Sequence, residues 1–203
     1  MDKAHTHVYW DHSNLFARMG DTCDDGKGAG LELGHRREAR LSFPALFKLA
    51  VAGRTVDKAV AAGSVPPDMQ KLWQHLGKVG LIVDLQERGA SSGKEVAVDQ
   101  ALEIEMLKSL LDRPTPAIAV LLSADGGFRD TLDRFISRGW GVEVLAFSKG
   151  ASPKLTRLPS DAPGAALFVD LDLWYYDLVY LEDISGKVVR KTSVLNLAKR
   201  KVL

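Results

Sequence analysis

Three carboxylates stand where a folded chain would gather them for chemistry. Asp11 closes the β-prone run from Thr6 to Trp10. Asp125 follows Ser123 just after Ala117 to Leu122, a run of apolar residues without a polar break. Asp99 lies near the start of a helical pattern carrying Leu102, Met106 and Leu110 on one ridge. No histidine or cysteine joins these acids at metal-ligand spacing, and Cys23 is the single cysteine. Oxygen donors alone suit a hard cation, Mg²⁺ or Mn²⁺. Such an ion lowers the pKa of bound water and neutralises charge growing on a phosphate during in-line attack. No Ser-His-Asp order, Walker loop or Gly-x-Gly-x-x-Gly stands out as a rival chemistry. The plainer roles are also open. Asp11, ahead of Ser13 and Asn14, reads as a helix cap, and Glu95 and Glu103, on one stripe with Asp99, read as a solvated helix face.

The elements that position these acids alternate in type. Thr6 to Trp10 reads as the first strand, and 21–34, rich in Gly and Asp, as a loop. A helix is expected over 36–51, with Pro44 at a break or a new first turn. Thr55 to Ala62 is the second strand. Pro66 and Pro67 open a helix through Met69, Leu72, Trp73 and Leu76, and Val79 to Leu85 is the third strand. The polar stretch 87–94 leads into a helix from Glu95 to Leu111, ended by Pro114 and Pro116. The fourth strand, 117–122, is apolar enough to be buried on both faces. Gly126 and Gly127 turn the chain, and Phe128, Leu132, Phe135 and Ile136 carry helical spacing. Val142 to Phe147 is the fifth strand. A short helix near 152–158 and a last strand at 165–169 follow. Strands alternating with helices predict a parallel sheet with right-handed crossovers. Asp11 and Asp125 then meet if the first and fourth strands are neighbours, at the carboxyl edge where open α/β sheets bind ligands.

The chain has 203 residues, enough for one α/β domain with a small extension. Hydrophobic residues are 46% and charged residues 26%, close to globular averages, so disorder is not the default. No run reaches the roughly 18 apolar residues of a membrane span, and the first residues lack the apolar centre of a signal peptide. A cytoplasmic location is expected. The net charge of +1 is unevenly spread. Lys187, Arg190, Lys191, Lys199, Arg200 and Lys201 fall after residue 183 with no acid among them, leaving −5 on the rest. A basic tail on an acidic body suits an anionic partner such as nucleic acid. It equally describes a solvated tail or a C-terminal strand with basic edges.

Four segments in order carry a resemblance. Val8-Tyr9-Trp10-Asp11-His12-Ser13-Asn14 resembles the Asp-x-Ser-Asn opening of NYN domains, a PIN-like nuclease family. Gly93-Lys94-Glu95-Val96-Ala97-Val98-Asp99 resembles the family's Lys-x-Val-Asp segment. Ser123-Ala124-Asp125-Gly126-Gly127-Phe128 resembles its Ser-Gly-Asp-x-Asp-Phe segment, and Arg138-Gly139-Trp140-Gly141-Val142-Glu143-Val144 the strand after it. The resemblance implies a Rossmann-like three-layer sandwich, with a mainly parallel sheet of order 3-2-1-4-5. It places an NYN/PIN-like catalytic domain in 1–150 and a C-terminal extension in 151–203, packed on it or tailing from it.

The implied function is a metal-dependent ribonuclease that hydrolyses RNA phosphodiester bonds with Mg²⁺ or Mn²⁺. Asp11, Asp99 and Asp125 would be the metal ligands, with Asn14 as a further catalytic residue. RNA contacts are expected from Ser13, Lys94, Arg129, Arg88 and the basic tail, with Trp10 and Trp140 as stacking candidates set against plain core packing. The RNA partner is single-stranded or structured, no membrane is involved, and a homodimer is compatible with the sequence. One departure stands out. Gly127 occupies the place of the family's second acid, and Asp130 is the nearest substitute. The alternative is a catalytically weak or inactive RNA-binding or adaptor domain on the same fold.

Overall fold

The computed structural model describes residues 4–22, 39–65, 74, 77–78, 80–87, 98–113, 115–183 and 185–203. Its centre is β1, His5–Asp11, which pairs in parallel with β3, Thr55–Val65, on one side and β5, Ile118–Leu122, on the other. β4, Ile82–Glu87, extends the sheet beyond β3. β6, Gly141–Ala146, and β7, Ala166–Asp170, extend it beyond β5. The order is β4-β3-β1-β5-β6-β7, with every pairing parallel. The expected five-strand order is therefore present, with a sixth strand added at one edge. A separate antiparallel sheet joins β2, Ala39–Leu41, to β8, Val179–Glu182, and β9, Val188–Arg190.

Alternation along the central strands builds two cores. Val8 and Trp10 of β1, with Val120 and Leu122 of β5, face helix α1, His12–Thr22, and helix α2, Phe43–Val51. Leu178, Val179 and Leu181 close that side. Tyr9, Leu121, Val142 and Val144 face the opposite way, against Leu102 and Met106 of α3, Val98–Asp112, and Leu132 and Phe135 of α4, Arg129–Ser137. A strand covered on both faces has no reason to alternate in polarity, which is why β5 reads as an unbroken apolar run. Burying these side chains at about 25 cal/mol per Å² is the main favourable term. Trp10 and Trp140 are both in the core and neither is free to stack on a base. No helix among the described residues is long and apolar enough to cross a membrane.

The structure departs from the sequence expectations in three places. Residues 39–41, read as part of a helix, are a strand, because Ala39 and Leu41 bury themselves opposite Leu181 and Val179 far along the chain. Pro44 then falls in the first turn of α2, where its missing N–H costs nothing. The sequence marks only a cap at Asp11, yet Leu15 and Met19 give the helix that follows it, α1, a buried face. The basic tail contains β9, the strand with basic edges, and Arg200 is spent internally. The expected helix through Met69 to Leu76, most of the 21–34 loop and the 88–97 stretch lie outside the described residues.

Glu143 of β6 is fully buried, with carboxylate oxygens paired to Arg54 Nη2 at 2.6 Å and Arg200 Nη2 at 2.5 Å. The Leu203 amide donates to the same carboxylate at 2.9 Å, so this acid anchors the C-terminal segment to the sheet. Removing one member of a buried charge network strands the others without compensation. Glu143→Gln is expected to lower the unfolding free energy by about 3 kcal/mol, read from the urea midpoint.

His7 is buried beside Trp140, edge to face at 5.1 Å. Burial, reinforced by the Arg113 charge and opposed by Asp57, pushes its pKa down to about 4. The unfolded chain binds a proton near pH 6.5 that the folded chain refuses until about pH 4. Stability therefore falls as pH drops through that window and loses nothing more from this group below it. In His7→Phe the melting temperature should decline less between those pH values than in the wild type.

Candidate active site at the carboxyl edge

The register sets the geometry. Trp10 lies opposite Leu122 in the β1–β5 pairing, so Asp11 and Ser123 leave the sheet side by side. The Ser123 hydroxyl donates to Asp11 Oδ2 at 2.8 Å and accepts from the Asp125 amide at 3.1 Å. Asp11 Oδ1 accepts from the Asn14 amide at 3.2 Å, and Asn14 Oδ1 accepts from the Ala124 amide at 3.0 Å. Asp125 Oδ1 accepts from the Gly127 amide at 2.8 Å, capping the 3-10 turn Gly126–Phe128. One network thus joins two strand ends 112 residues apart in sequence.

Asp11 does cap α1, as its position before Ser13 and Asn14 allows. Capping does not exhaust it, since an ionised carboxylate offers about four acceptor directions. Asp11 is only 2% exposed, whereas Asp125 is half-buried at the surface. Among the described residues, Asp125 Oδ2 has no hydrogen-bond partner.

Beside this network lies an open depression of about 410 Å³. Asn14 and Arg18 line it from α1, Asp125 to Gly127 from the turn after β5, and Gly150, Ser152 and Lys154 from the segment after β6. The walls fit closely. A Cβ on Gly126 would stand 2.3 Å from Ser152 Oγ, and one on Gly150 would stand 2.8 Å from Arg18 Nη1. Gly127 is different: a Cβ there would lie 3.4 Å from Asp125 Oδ1, an ordinary contact. Nothing steric keeps an acid out of that position.

The other expected site residues are dispersed. Asp99 is exposed in the first turn of α3, which packs against the Gly126–Phe128 turn. Ser13 is half-buried in the first turn of α1. Asp130 is exposed in the first turn of α4 and does not line the depression. Lys94 and Arg88 lie outside the described residues. Arg129 is not in the lining of the depression. Its guanidinium pairs with Asp133 and with Asp161 at 2.7 Å, and donates to the Lys154 carbonyl at 2.8 Å. Hydrogen bonds from the two carboxylates raise its pKa further. Among the described residues, no three His, Cys, Asp or Glu side chains are grouped closely enough to hold a metal alone. Sequence reasoning missed Arg18 and Lys154. Arg18 follows Asn14 by four, a same-face spacing that becomes visible only once α1 is known to be a helix.

A doubly covered parallel sheet with tied carboxylates at its carboxyl edge defines a Rossmann-like α/β protein. The family model described as "NYN domain" matches residues 5–161, and the chain belongs to that family. No curated protein matches the chain. Among solved structures it is similar to a protein of unknown function, VPA0982, from Vibrio parahaemolyticus. That likeness has 20% identity and a TM-score of 0.58 over 84% of this chain and 95% of the other, and it speaks to the fold alone.

Ser123 supports both carboxylate segments, so its loss should be felt in both. Ser123→Ala leaves a buried Asp11 oxygen and the Asp125 amide each short of a partner. The expected cost is about 2 kcal/mol, measured by urea unfolding.

Proposed function

We propose that this chain is a divalent-metal-dependent ribonuclease, hydrolysing RNA phosphodiester bonds at the carboxyl edge of its sheet. The observation that carries the reading is the Asp11–Ser123–Asp125 network beside a depression with two cations in its wall. The donors fit a hard cation in kind, being oxygen only. They also fit in number, because Mg²⁺ is commonly held by one or two carboxylates, with water and substrate phosphate completing its shell. Asp11 and Asp125 would hold the ion, with Asp99 reaching it through water. When bound, such an ion acidifies a water and offsets charge on the phosphate. Mg²⁺ and Mn²⁺ both suit this donor set.

The chain's own residues prepare the rest. Asn14 has its side-chain oxygen committed to the Ala124 amide, so Nδ2 remains as a donor for a phosphate oxygen. Ser123 holds the Asp11 carboxylate in one orientation, and the Gly127 amide does the same for Asp125. A second reading, RNA binding with little or no cleavage, is favoured by one feature. Gly127 leaves the turn with a single acid where the family pattern has two.

One experiment decides between them. A labelled single-stranded RNA is incubated with the protein in Mg²⁺ or Mn²⁺, and again with excess chelator. Nuclease action predicts cleavage that the chelator abolishes and that Asp125→Asn lowers by about 100-fold or more, the scale of losing a group that stabilises transition-state charge. Gly127→Asp, which the backbone accommodates, should lower the metal concentration needed for half-maximal rate. Cleavage that survives both chelator and Asp125→Asn overturns the proposal. RNA binding without cleavage in either metal establishes the second reading.

A further inference from the structure

We propose that Arg18 and Lys154 form a clamp for an RNA backbone phosphate next to the scissile one, held without regard to base identity. The inference rests on reading the depression as part of an RNA site, and it names the side on which the strand enters. Arg18 and Lys154 bring a guanidinium and an ammonium into the lining that also holds Asp125. Among the described residues no aromatic side chain, the usual platform for stacking a base, lines the depression. Contacts of this kind position a nucleic acid and carry no sequence information.

Both cations are seated by the fold. Arg18 lies across the bare Cα of Gly150, whose Cβ position would fall 3.1 Å from both Arg18 Cδ and Cζ. Gly150 itself has φ +77°, a conformation that side chains rarely adopt. The loop after β6 is therefore shaped to carry that guanidinium. Lys154 has its backbone held at both ends. Its amide donates to Ser152 Oγ at 3.4 Å, and its carbonyl accepts from Arg129 Nη1 at 2.8 Å. The Ser152 amide in turn donates to the Ala124 carbonyl at 3.0 Å, which ties this loop to the acid-bearing turn. Arg129 thereby acts as a positioning residue for Lys154. Guanidinium and ammonium together match a phosphate that must be both oriented and neutralised.

The test is RNA binding in excess chelator, where no metal-dependent cleavage intervenes. Fluorescence anisotropy is measured with labelled oligo-A and oligo-U over a range of KCl, using the full chain. Arg18→Ala and Lys154→Ala should each weaken binding about tenfold at low salt and reduce the slope of log affinity against log salt by about 0.7, the value for one single-strand phosphate contact. The loss should be equal on both oligomers. Gly150→Ala, which displaces the guanidinium while leaving its charge in place, should reproduce the Arg18→Ala affinity with an unchanged far-ultraviolet circular dichroism spectrum. Lys48→Ala and Arg134→Ala, exposed on α2 and α4 and outside the lining of the depression, are matched charge controls, expected to change affinity by less than about twofold. Wild-type affinity and slope in the Arg18 and Lys154 variants, or a loss confined to one oligomer, overturns the clamp. So does the absence of measurable RNA binding by the wild type. Failure of metal-dependent cleavage leaves the binding result standing, and failure of the clamp leaves the cleavage result standing.

Discussion

Everything at the carboxyl edge depends on β1 and β5 lying side by side in parallel. Parallel neighbours end at the same edge of a sheet, so residues just past their last pair must meet there. With Trp10 opposite Leu122, the next residues are Asp11 and Ser123, and the hydroxyl reaches the carboxylate at 2.8 Å. From β1 the sheet grows outward in both directions, through β3 on one side and β5 on the other. The connections therefore diverge at this point and leave a crevice, which is where open α/β sheets take ligands. A change of pairing would separate Asp11 from Asp125 even if every local element survived.

The two edges of the sheet solve opposite electrostatic problems. At the carboxyl edge, two acids accept backbone amides at the start of a helix and a 3-10 turn, where positive dipole ends favour negative charge. The Ser123 hydroxyl adds a further donor to Asp11. Glu143, near the start of β6, is instead sealed away and matched by Arg54 and Arg200. That network draws the C-terminal segment onto the sheet. It also removes one cation from the basic run that the sequence suggested for a nucleic-acid partner.

The basic residues show how little a charge count says about use. Arg129 was a candidate for RNA contact, yet it bridges α4 to the segment carrying Lys154. Arg190 lies over the rings of Tyr175 and Tyr176, at 5.8 and 5.2 Å from their centres. Arg18, with nothing in its local sequence to mark it, lies in the wall beside Asp125. Long cationic side chains reach partners many residues away, so only the packed arrangement shows what each one lies against.

Hydrophobic patterning and local turn chemistry were enough to place the five main strands, the helix before β5 and the acids at strand ends. Those features depend on neighbours within a few residues: an apolar run for a doubly covered strand, glycines for the turn after Asp125, a carboxylate before a helix. The ordered motifs were enough to indicate the family. Long-range pairing was not legible. Ala39 to Leu41 passed for helix because its strand partner lies about 140 residues further on. The cap at Asp11 was legible but the length of α1 behind it was not, and Arg18 was hidden with it. Only the tertiary structure decided that Ser123 would join Asp11 to Asp125, that Gly150 would make room for a guanidinium, and that Arg200 would turn inward to Glu143. Each of these contacts joins segments remote in the chain, and no periodicity or spacing records where distant backbone will lie once two cores have packed against one sheet.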